Sequence, residues 1–339
     1  MDLLKREQVR YEHRPPAYSP FLAPIFGWLG DRVVRRRMLS VRSVDVEGVD
    51  RVRALIDEGH MVLVAPNHAD HADPFVMSYA GRRAGLGFNY MAAREVFERW
   101  GGIGGWVLTR IGALSVDREG ADLAAIKSAM SVLREGRHPL VVFPEGEIFH
   151  HHEWLAPLNE GVTTILLRAM KGQPDGQGAY LVPTALRYSH DVSVEETFSS
   201  RLATLEDRIT WKPRPDMDVV DRIYRLGSGL LATKEVEFLG EAQSGDLVER
   251  IRGLQRALVE LVERKHFDDV REGSVPERVK ALRNVIRREL TDDEEDAPER
   301  VEALYDDLDT LFLAVQFYSY PGQYLSQDPT RHRIAETIM

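Results

Sequence analysis

The chain has 339 residues, of which 43% are hydrophobic and 29% are charged, the balance of an ordinary globular protein. Because a single core rarely grows beyond roughly 250 to 300 residues, we expect one large domain with a smaller appendage. The absence of cysteine excludes thiol catalysis, thiolate zinc sites and disulfides. The net charge of -10 argues against a general nucleic-acid binder, which needs a clustered excess of Lys and Arg.

The sequence lacks the features of a secreted or membrane-spanning chain. No apolar stretch approaches the roughly 18 to 20 residues that a spanning helix needs. The N-terminus, Met-Asp-Leu-Leu-Lys-Arg-Glu, does not have the basic-then-apolar layout of a signal peptide. We therefore expect neither a secreted nor an integral membrane protein, and the absence of cysteine is compatible with a cytoplasmic location.

The N-terminal arm, residues 1–44, combines an apolar segment with a basic one. Residues 18–30 are apolar and aromatic, and four arginines follow at once: Arg32, Arg35, Arg36 and Arg37. Such a segment suits the lipid interface, where rings bury and guanidinium groups meet lipid phosphates. An arm packed on the core is the alternative, and both interpretations stay open because prolines and glycines obscure any amphipathic pattern.

Residues 45–192 alternate between helical and extended patterns. Apolar spacing predicts an opening helix around Val49 to Ile56. Short apolar runs predict strands, and periodic segments between them predict helices: strands at 61–65, 89–93, 139–143 and 180–186, and helices at 122–133 and 162–170. This pattern predicts an α/β fold with a largely parallel sheet flanked by helices.

Residues 193–339 turn helical. Apolar residues at three- and four-residue spacing predict helices at Leu247 to Glu263, Val275 to Leu290 and Pro298 to Val315. The acidic run from Asp292 to Asp309 is predicted to be a solvated face or loop. We expect no internal repeat in this helical C-terminal region.

The stretch Asn67-His68-Ala-Asp-His-Ala-Asp73 follows the first predicted buried strand. Ligands bind at the carboxyl ends of strands in open α/β sheets, so these polar groups stand in a site-like place. If the chain turns into a helix near Pro74, Asp73 can fold back on His68 and make it a general base. Helix capping on a solvated loop is the other interpretation.

A metal site at the same stretch is a weaker alternative. His68, Asp70, His71 and Asp73 crowd together, and histidine and carboxylate are common metal ligands. Their spacing matches neither the helical His-Glu-x-x-His of zinc proteases nor the His-x-His-x-Asp-His of binuclear hydrolases. We therefore predict no metal.

Three further stretches end strands in polar or turn residues. Phe143-Pro144-Glu145-Gly146 predicts a tight turn that holds Glu145 at a strand end. Arg118 ends the predicted strand at 111–118 and could grip a phosphate or pair with a neighbouring acid. Val182-Pro183 ends the last strand and is expected to shape a wall.

In this order the four stretches resemble the blocks of the glycerolipid acyltransferase family that includes lysophosphatidic acid acyltransferase (PlsC-type). The blocks are Asn-His-x-x-x-x-Asp, Gly-x-x-x-x-Asp-Arg, Phe-Pro-Glu-Gly and Val-Pro. They correspond here to Asn67 to Asp73, Gly112 to Arg118, Phe143 to Gly146, and Val182-Pro183. The resemblance covers residues 45 to 190 and implies a glycerol-3-phosphate acyltransferase-like fold.

The resemblance also implies a reaction of phospholipid biosynthesis. A fatty acyl group would pass from acyl-CoA or acyl carrier protein to a hydroxyl of a lysophospholipid such as lysophosphatidic acid, on the inner face of a membrane. His68 would be the general base and Asp73 its orienter. Side chains implied at the substrate are Asn67, Arg94, Arg118, Phe143, Pro144, Glu145 and Gly146. No cofactor is implied, because the thioester already carries an activated carbonyl.

One departure from the family pattern concerns the acyl acceptor. The family usually continues Thr-Arg-Ser after the Phe-Pro-Glu-Gly turn, but this chain has Glu147-Ile148-Phe149. Another lysolipid, a polyol or a glycolipid is therefore a second class of acceptor. Two other functions stay open: a catalytically silent protein that binds lipid or acyl carrier, and a hydrolase that passes the acyl group to water.

Overall fold

A computed structural model describes residues 11–98, 101–117, 122–173, 176–189, 194–210, 212–267, 269–292, 298–319 and 322–338. The chain divides into two compact units, Met1–Arg187 and Tyr188–Met339.

The first unit is built on a five-stranded, fully parallel sheet, which confirms the predicted α/β class. Its strands are β1 (Met61–Pro66), β2 (Asn89–Ala93), β3 (Ala113–Val116), β4 (Leu140–Val141) and β5 (Ala179–Thr184). Their order across the sheet is β3-β2-β4-β1-β5. The strands at β4 and β5 are shorter than the apolar runs predicted.

Helices connect and cover these strands. Their bounds are α1 (Leu22–Leu29), a π-helical segment (Gly30–Met38), α2 (Val49–Asp57), α3 (Asp73–Arg83), α4 (Arg94–Glu98), α5 (Gly101–Arg110), α6 (Leu123–Glu135) and α7 (Gly161–Met170). The main core lies between the sheet and α6 and α7, where Leu63, Leu114 and Leu140 pack with Ala129 and Ile165. All five are at most 5% exposed, so this face of the sheet is dry.

The strand order brings together two stretches that are far apart in sequence. β1 pairs with β4, with Leu63 opposite Leu140 and Val64 opposite Val141. Because parallel strands end at the same edge of a sheet, the chain leaving β1 at His68 lies beside the chain leaving β4 at Phe143. The candidate site forms at this edge.

The N-terminal arm packs on the first unit before α1 begins. The backbone N–H of Ser115 in β3 donates to the carbonyl oxygen of Arg14 at 3.0 Å. The hydroxyl of Tyr11 donates to Asp122 at 2.8 Å. Residues 11–19 therefore behave as a packed arm, the second of the two interpretations, and the lipid-interface interpretation now concerns α1.

All regular secondary structure in the described residues of the second unit is helical. Its helices are α8 (Val194–Thr210), α9 (Val219–Leu239), α10 (Leu247–His266), α11 (Val275–Asp292), α12 (Pro298–Ser319), α13 (Tyr324–Gln327) and α14 (Arg331–Ile338). The three predicted helices are confirmed as α10, α11 and α12, each extending two to four residues beyond its predicted end.

The expectation of no internal repeat is wrong. A nine-residue motif starts at residues 218, 246 and 274, which are 28 residues apart. The motif has a helix-capping residue at its first position, arginine at the fifth, isoleucine or valine at the sixth and leucine at the ninth. It recurs as Pro-Glu-Arg-Val-x-x-Leu from Pro298 to Leu304. The leucines, Leu226, Leu254, Leu282 and Leu304, are all at most 5% exposed.

The same contacts recur in three copies of the motif. Asp218 and Asp246 accept hydrogen bonds from the first-turn N–H groups of α9 and α10, and Ser274 pairs with Glu277 at the start of α11. Each arginine then forms a two-pronged ion pair with a fully buried glutamate of the preceding helix: Glu206 with Arg222, Glu235 with Arg250, and Glu263 with Arg278. Each repeat is thus one helix, and an ion pair between a buried glutamate and an arginine, here called the clamp, joins it to the next helix.

Candidate active site

His68 and Asp73 form a hydrogen-bonded pair at the end of β1. The Nδ1 of His68 lies 2.8 Å from Oδ2 of Asp73. Asp73 is fully buried, whereas the imidazole is 14% exposed. A carboxylate accepts from Nδ1–H, which fixes the tautomer and leaves Nε2 as the nitrogen with a lone pair. This is the geometry of a general base with an orienting carboxylate.

The fold-back of Asp73 follows from the local chain. Asp73 begins α3 and Pro74 occupies the first helical turn, where its fixed φ and missing N–H are tolerated. Oδ2 of Asp73 also accepts from the N–H of Asp70 at 3.0 Å, so the loop between the pair closes on the same oxygen. The predicted turn into a helix near Pro74 is therefore present.

Phe143 supports the ring of His68. The two ring centroids are 4.0 Å apart and the planes are inclined by 20°, a stacked arrangement. Contact with one face of the imidazole restricts its rotation, so two features hold the ring: a hydrogen bond at its edge and an aromatic surface on its face.

Glu145 binds the backbone on both sides of the site. Its Oε1 accepts from the N–H of His68 at 2.8 Å, and its Oε2 accepts from the N–H of Ala156 at 3.2 Å. The residue is 6% exposed. Burial raises the pKa of the Glu145 carboxyl above its ordinary value, while the two N–H donors act in the opposite direction.

Gly146 and Pro144 complete the turn. Gly146 has φ of +78°, which a side chain would strain, and a Cβ there would lie 2.9 Å from Nδ2 of Asn159. The same Nδ2 donates to the carbonyl oxygens of Pro144 and Glu145 at 3.1 and 3.3 Å. Asn159 was not among the predicted site residues, and no sequence motif marks it.

Asn67 joins the ends of two strands. Its Nδ2 donates to the carbonyl oxygen of Leu186 at 3.0 Å, and its Oδ1 accepts from the N–H of Leu186 at 2.6 Å. Both ends of the amide therefore tie the chain after β1 to the chain after β5. In this conformation the side chain braces the site.

Of the two predicted arginines, Arg94 lies within the described residues and Arg118 does not. Arg94 starts α4 at the end of β2, with Nη1 3.8 Å from Asp117 and Nε 3.7 Å from Glu95, both long ion pairs. Its guanidinium carbon lies 5.9 Å from the ring of Tyr11 in the N-terminal arm. Arg118 lies outside the described residues.

Three histidines, residues 150–152, follow the Phe143 to Gly146 turn, and one of them is buried inside the loop. His151 is 2% exposed, and its Nδ1 donates to the carbonyl oxygen of Trp154 at 2.9 Å. The rings of His71 and His150 are 5.7 Å apart. Within the part of the chain that the structure describes, no group of three or more histidine and carboxylate side chains is arranged to hold a metal ion.

Comparisons with known proteins bear on this unit. The family model described as Acyltransferase matches residues 43–187. The glycerol-3-phosphate acyltransferase of Baumannia cicadellinicola is 28% identical over 150 residues, 43% of this chain and 18% of that protein. The glycerol-3-phosphate acyltransferase of Pseudoalteromonas atlantica is 26% identical over 171 residues, 49% of this chain and 21% of that protein.

A shorter and closer match comes from another curated protein. The 1-acyl-sn-glycerol-3-phosphate acyltransferase of Streptococcus pneumoniae is 37% identical over 90 residues, 26% of this chain and 32% of that protein. The aligned part of the chain thus spans a third or less of the length of each of these relatives. No solved structure matches the chain.

Proposed function

We propose that this chain, whose residues 43–187 match the family model described as Acyltransferase, moves a fatty acyl group from an acyl thioester to a hydroxyl of a lysophospholipid. The donor would be acyl-CoA or acyl carrier protein. The observation that carries the proposal is the 2.8 Å hydrogen bond between His68 and the fully buried Asp73 at the end of β1.

In the proposed reaction, Nε2 of His68 takes the proton from the acceptor hydroxyl as its oxygen attacks the thioester carbonyl. Asp73 keeps the Nδ1–H tautomer and stabilises the imidazolium that forms. Collapse of the tetrahedral intermediate forms the ester and breaks the carbon–sulfur bond. The imidazolium returns its proton to the departing thiolate, so the base is regenerated and no cofactor takes part.

The head group of the acceptor is proposed to lie toward the ends of β2 and β3. Arg94, which follows β2, and Arg118, beyond the end of β3, are the cations proposed for a phosphate. Glu147 follows the Phe143 to Gly146 turn, where the family usually carries Thr-Arg-Ser. Because of the two arginines, lysophosphatidic acid is the first acceptor to test. Because of Glu147, a lysolipid with a neutral polyol or sugar head group is the second.

Peripheral contact with a membrane is part of the proposal. Phe21, just before α1, is 82% exposed, and Ile25 and Trp28 on α1 are 53% and 58% exposed. On α5, Ile103 and Trp106 are 80% and 45% exposed. The rings of Phe26 and Trp106, 6.3 Å apart, join the two helices. No helix among the described residues is long and apolar enough to cross a bilayer.

Arginines lie beside this apolar surface. Arg32 and Arg36 are exposed on the π-helical segment that continues α1, and the Arg32 guanidinium carbon lies 5.8 Å from the Trp28 ring. Exposed apolar rings with flanking guanidinium groups fit a lipid interface with anionic head groups. Arg35 is different: it is 1% exposed and bonds Asp31 and the carbonyl oxygen of Val41, so it is structural.

The reaction is tested by following a labelled acyl group from acyl-CoA and from acyl carrier protein with a panel of lysolipids. Labelled diacyl lipid supports transfer. Labelled free fatty acid would replace the proposal with hydrolysis, and unchanged thioester with every donor and acceptor would replace it with a binding role.

Membrane contact is tested by co-sedimentation with vesicles that contain anionic lipid. Ile103→Asp places a charge on the apolar surface, and burying one such side chain is worth about 1.5 to 3 kcal/mol, so binding should fall at least tenfold. Leu167→Asp, at a residue of α7 that is 61% exposed, is the matched control and should bind like wild type. Equal binding by both variants would remove this surface from the proposal.

A further inference from the structure

We propose that Glu145 is a positioning residue for His68 and does not bind the acyl acceptor. The inference rests on the proposed acyl transfer, and it changes the role that the family resemblance implies for Glu145. Its basis is that both carboxylate oxygens are used inside the protein, one on the N–H of His68 and one on the N–H of Ala156.

The backbone of His68 is held on both sides by the segment that follows β4. Its N–H donates to Glu145 at 2.8 Å, and its carbonyl oxygen accepts from the N–H of Phe149 at 3.2 Å. The ring of Phe143, two residues before Glu145, stacks on the imidazole. Residues 143–149 thus fix the peptide, the ring plane and the distance of the base from β4.

Ala156 extends this support to the far end of the loop. Its N–H donates to the second oxygen of Glu145, so the carboxylate links the base to the chain just before Asn159. Asn159 in turn bonds the carbonyl oxygens of Pro144 and Glu145. The carboxylate therefore lies between the base and a loop that is closed on itself.

The chemistry of the carboxylate explains why a glutamate is used. A carboxylate only accepts hydrogen bonds, and each oxygen of Glu145 accepts one from a backbone N–H. Glutamine has the same shape but offers one acceptor and one donor, so Glu145→Gln must leave one of the two N–H groups without its acceptor. Glu145→Asp keeps the charge but is one methylene shorter, so one carboxylate cannot span both N–H groups.

A positioning role and an acceptor-binding role predict different kinetics. Loss of an acceptor contact raises the KM for the acceptor. A displaced base lowers kcat, and a misplacement of about 1 Å can cost on the order of 100-fold.

The test compares wild type, Glu145→Gln, Glu145→Asp and the control Glu160→Gln, an exposed carboxylate of the same loop. We expect kcat to fall at least tenfold in both Glu145 variants and the acceptor KM to stay within about twofold. Glu160→Gln should match wild type. A raised acceptor KM with unchanged kcat, or full activity of Glu145→Gln, would overturn the inference.

An independent readout separates this inference from the reaction itself. Amide hydrogen exchange at His68 and Ala156, followed by NMR, should be faster in folded Glu145→Gln than in wild type and unchanged in Glu160→Gln. If wild type shows no acyl transfer, the proposed function is wrong. The exchange data would still show whether Glu145 holds the N–H groups of His68 and Ala156. Unchanged exchange at both amides would overturn the link whatever the activity.

Discussion

The imidazole of His68 lies flat against the ring of Phe143, with centroids 4.0 Å apart and planes inclined by 20°. The two residues are 75 positions apart in the chain and meet because β1 and β4 are neighbours in the sheet. His68 belongs to the Asn67 to Asp73 block, and its ring is therefore supported by a residue of another block, Phe143 to Gly146.

Phe143→Leu keeps an apolar side chain but removes the flat surface under the imidazole. We expect kcat to fall about 10-fold, because the ring loses one of its two restraints, and the acceptor KM to stay unchanged. Steady-state kinetics with varied acceptor measure both. A raised KM at unchanged kcat would instead place Phe143 at the acceptor.

Asp73→Asn removes the carboxylate and can present an N–H where Nδ1–H now donates. The wrong tautomer and the loss of imidazolium stabilisation should lower kcat by roughly 10³ to 10⁴-fold. Rates of acyl transfer at saturating donor and acceptor check this, with circular dichroism as the control for folding. A loss below about tenfold would contradict an orienting role for Asp73.

The raised pKa of Glu145 determines how this residue changes the unfolding free energy as the pH rises. Burial raises this pKa, so the stability that the protonated group contributes is present below the unfolded value, about 4.3, and is lost as the pH rises through the folded value. Glu145→Gln removes this titration. The unfolding free energy of the variant minus that of wild type should therefore increase between about pH 4 and pH 7, as measured by urea denaturation. A decrease over that range would contradict a raised pKa.

The repeated clamp of the second unit offers a matched pair of substitutions. Arg278 is 8% exposed and pairs with the fully buried Glu263, so Arg278→Met should destabilise the unit by about 3 to 5 kcal/mol. Arg300 holds the same motif position but is 52% exposed and 3.8 Å from Glu289, so Arg300→Met should cost less than about 1 kcal/mol. Denaturant unfolding of the two variants measures the difference, and equal losses would contradict the role of burial.

Local patterns predicted much of the first unit. The apolar runs and the polar residues that follow them mark the strands and the turns after β1 and β4. The pattern could not show that β4 lies next to β1, because buried strands of a parallel sheet are apolar on both faces and carry no mark of their neighbours. The stacking of Phe143 and the bond from His68 to Glu145 depend on that order.

Other features depend on long-range folding. Asp307 belongs to the run predicted to be solvated, yet it is 4% exposed and accepts from Lys265 and His266 of another helix. Asn159 reaches Pro144 only because the intervening loop closes. The 28-residue repeat is the opposite case: Arg222, Arg250 and Arg278 are visible in the sequence, but the residues between them differ enough to hide the period.

The role of His68 as general base is tested most directly by acyl transfer from acyl-CoA to lysophosphatidic acid and other lysolipids with wild type, His68→Ala and His71→Ala. His71 is exposed in the same loop and serves as the matched histidine. We predict diacyl product from wild type and His71→Ala, and a rate at least 10³-fold lower from His68→Ala. Equal rates for the two variants would contradict His68 as the base.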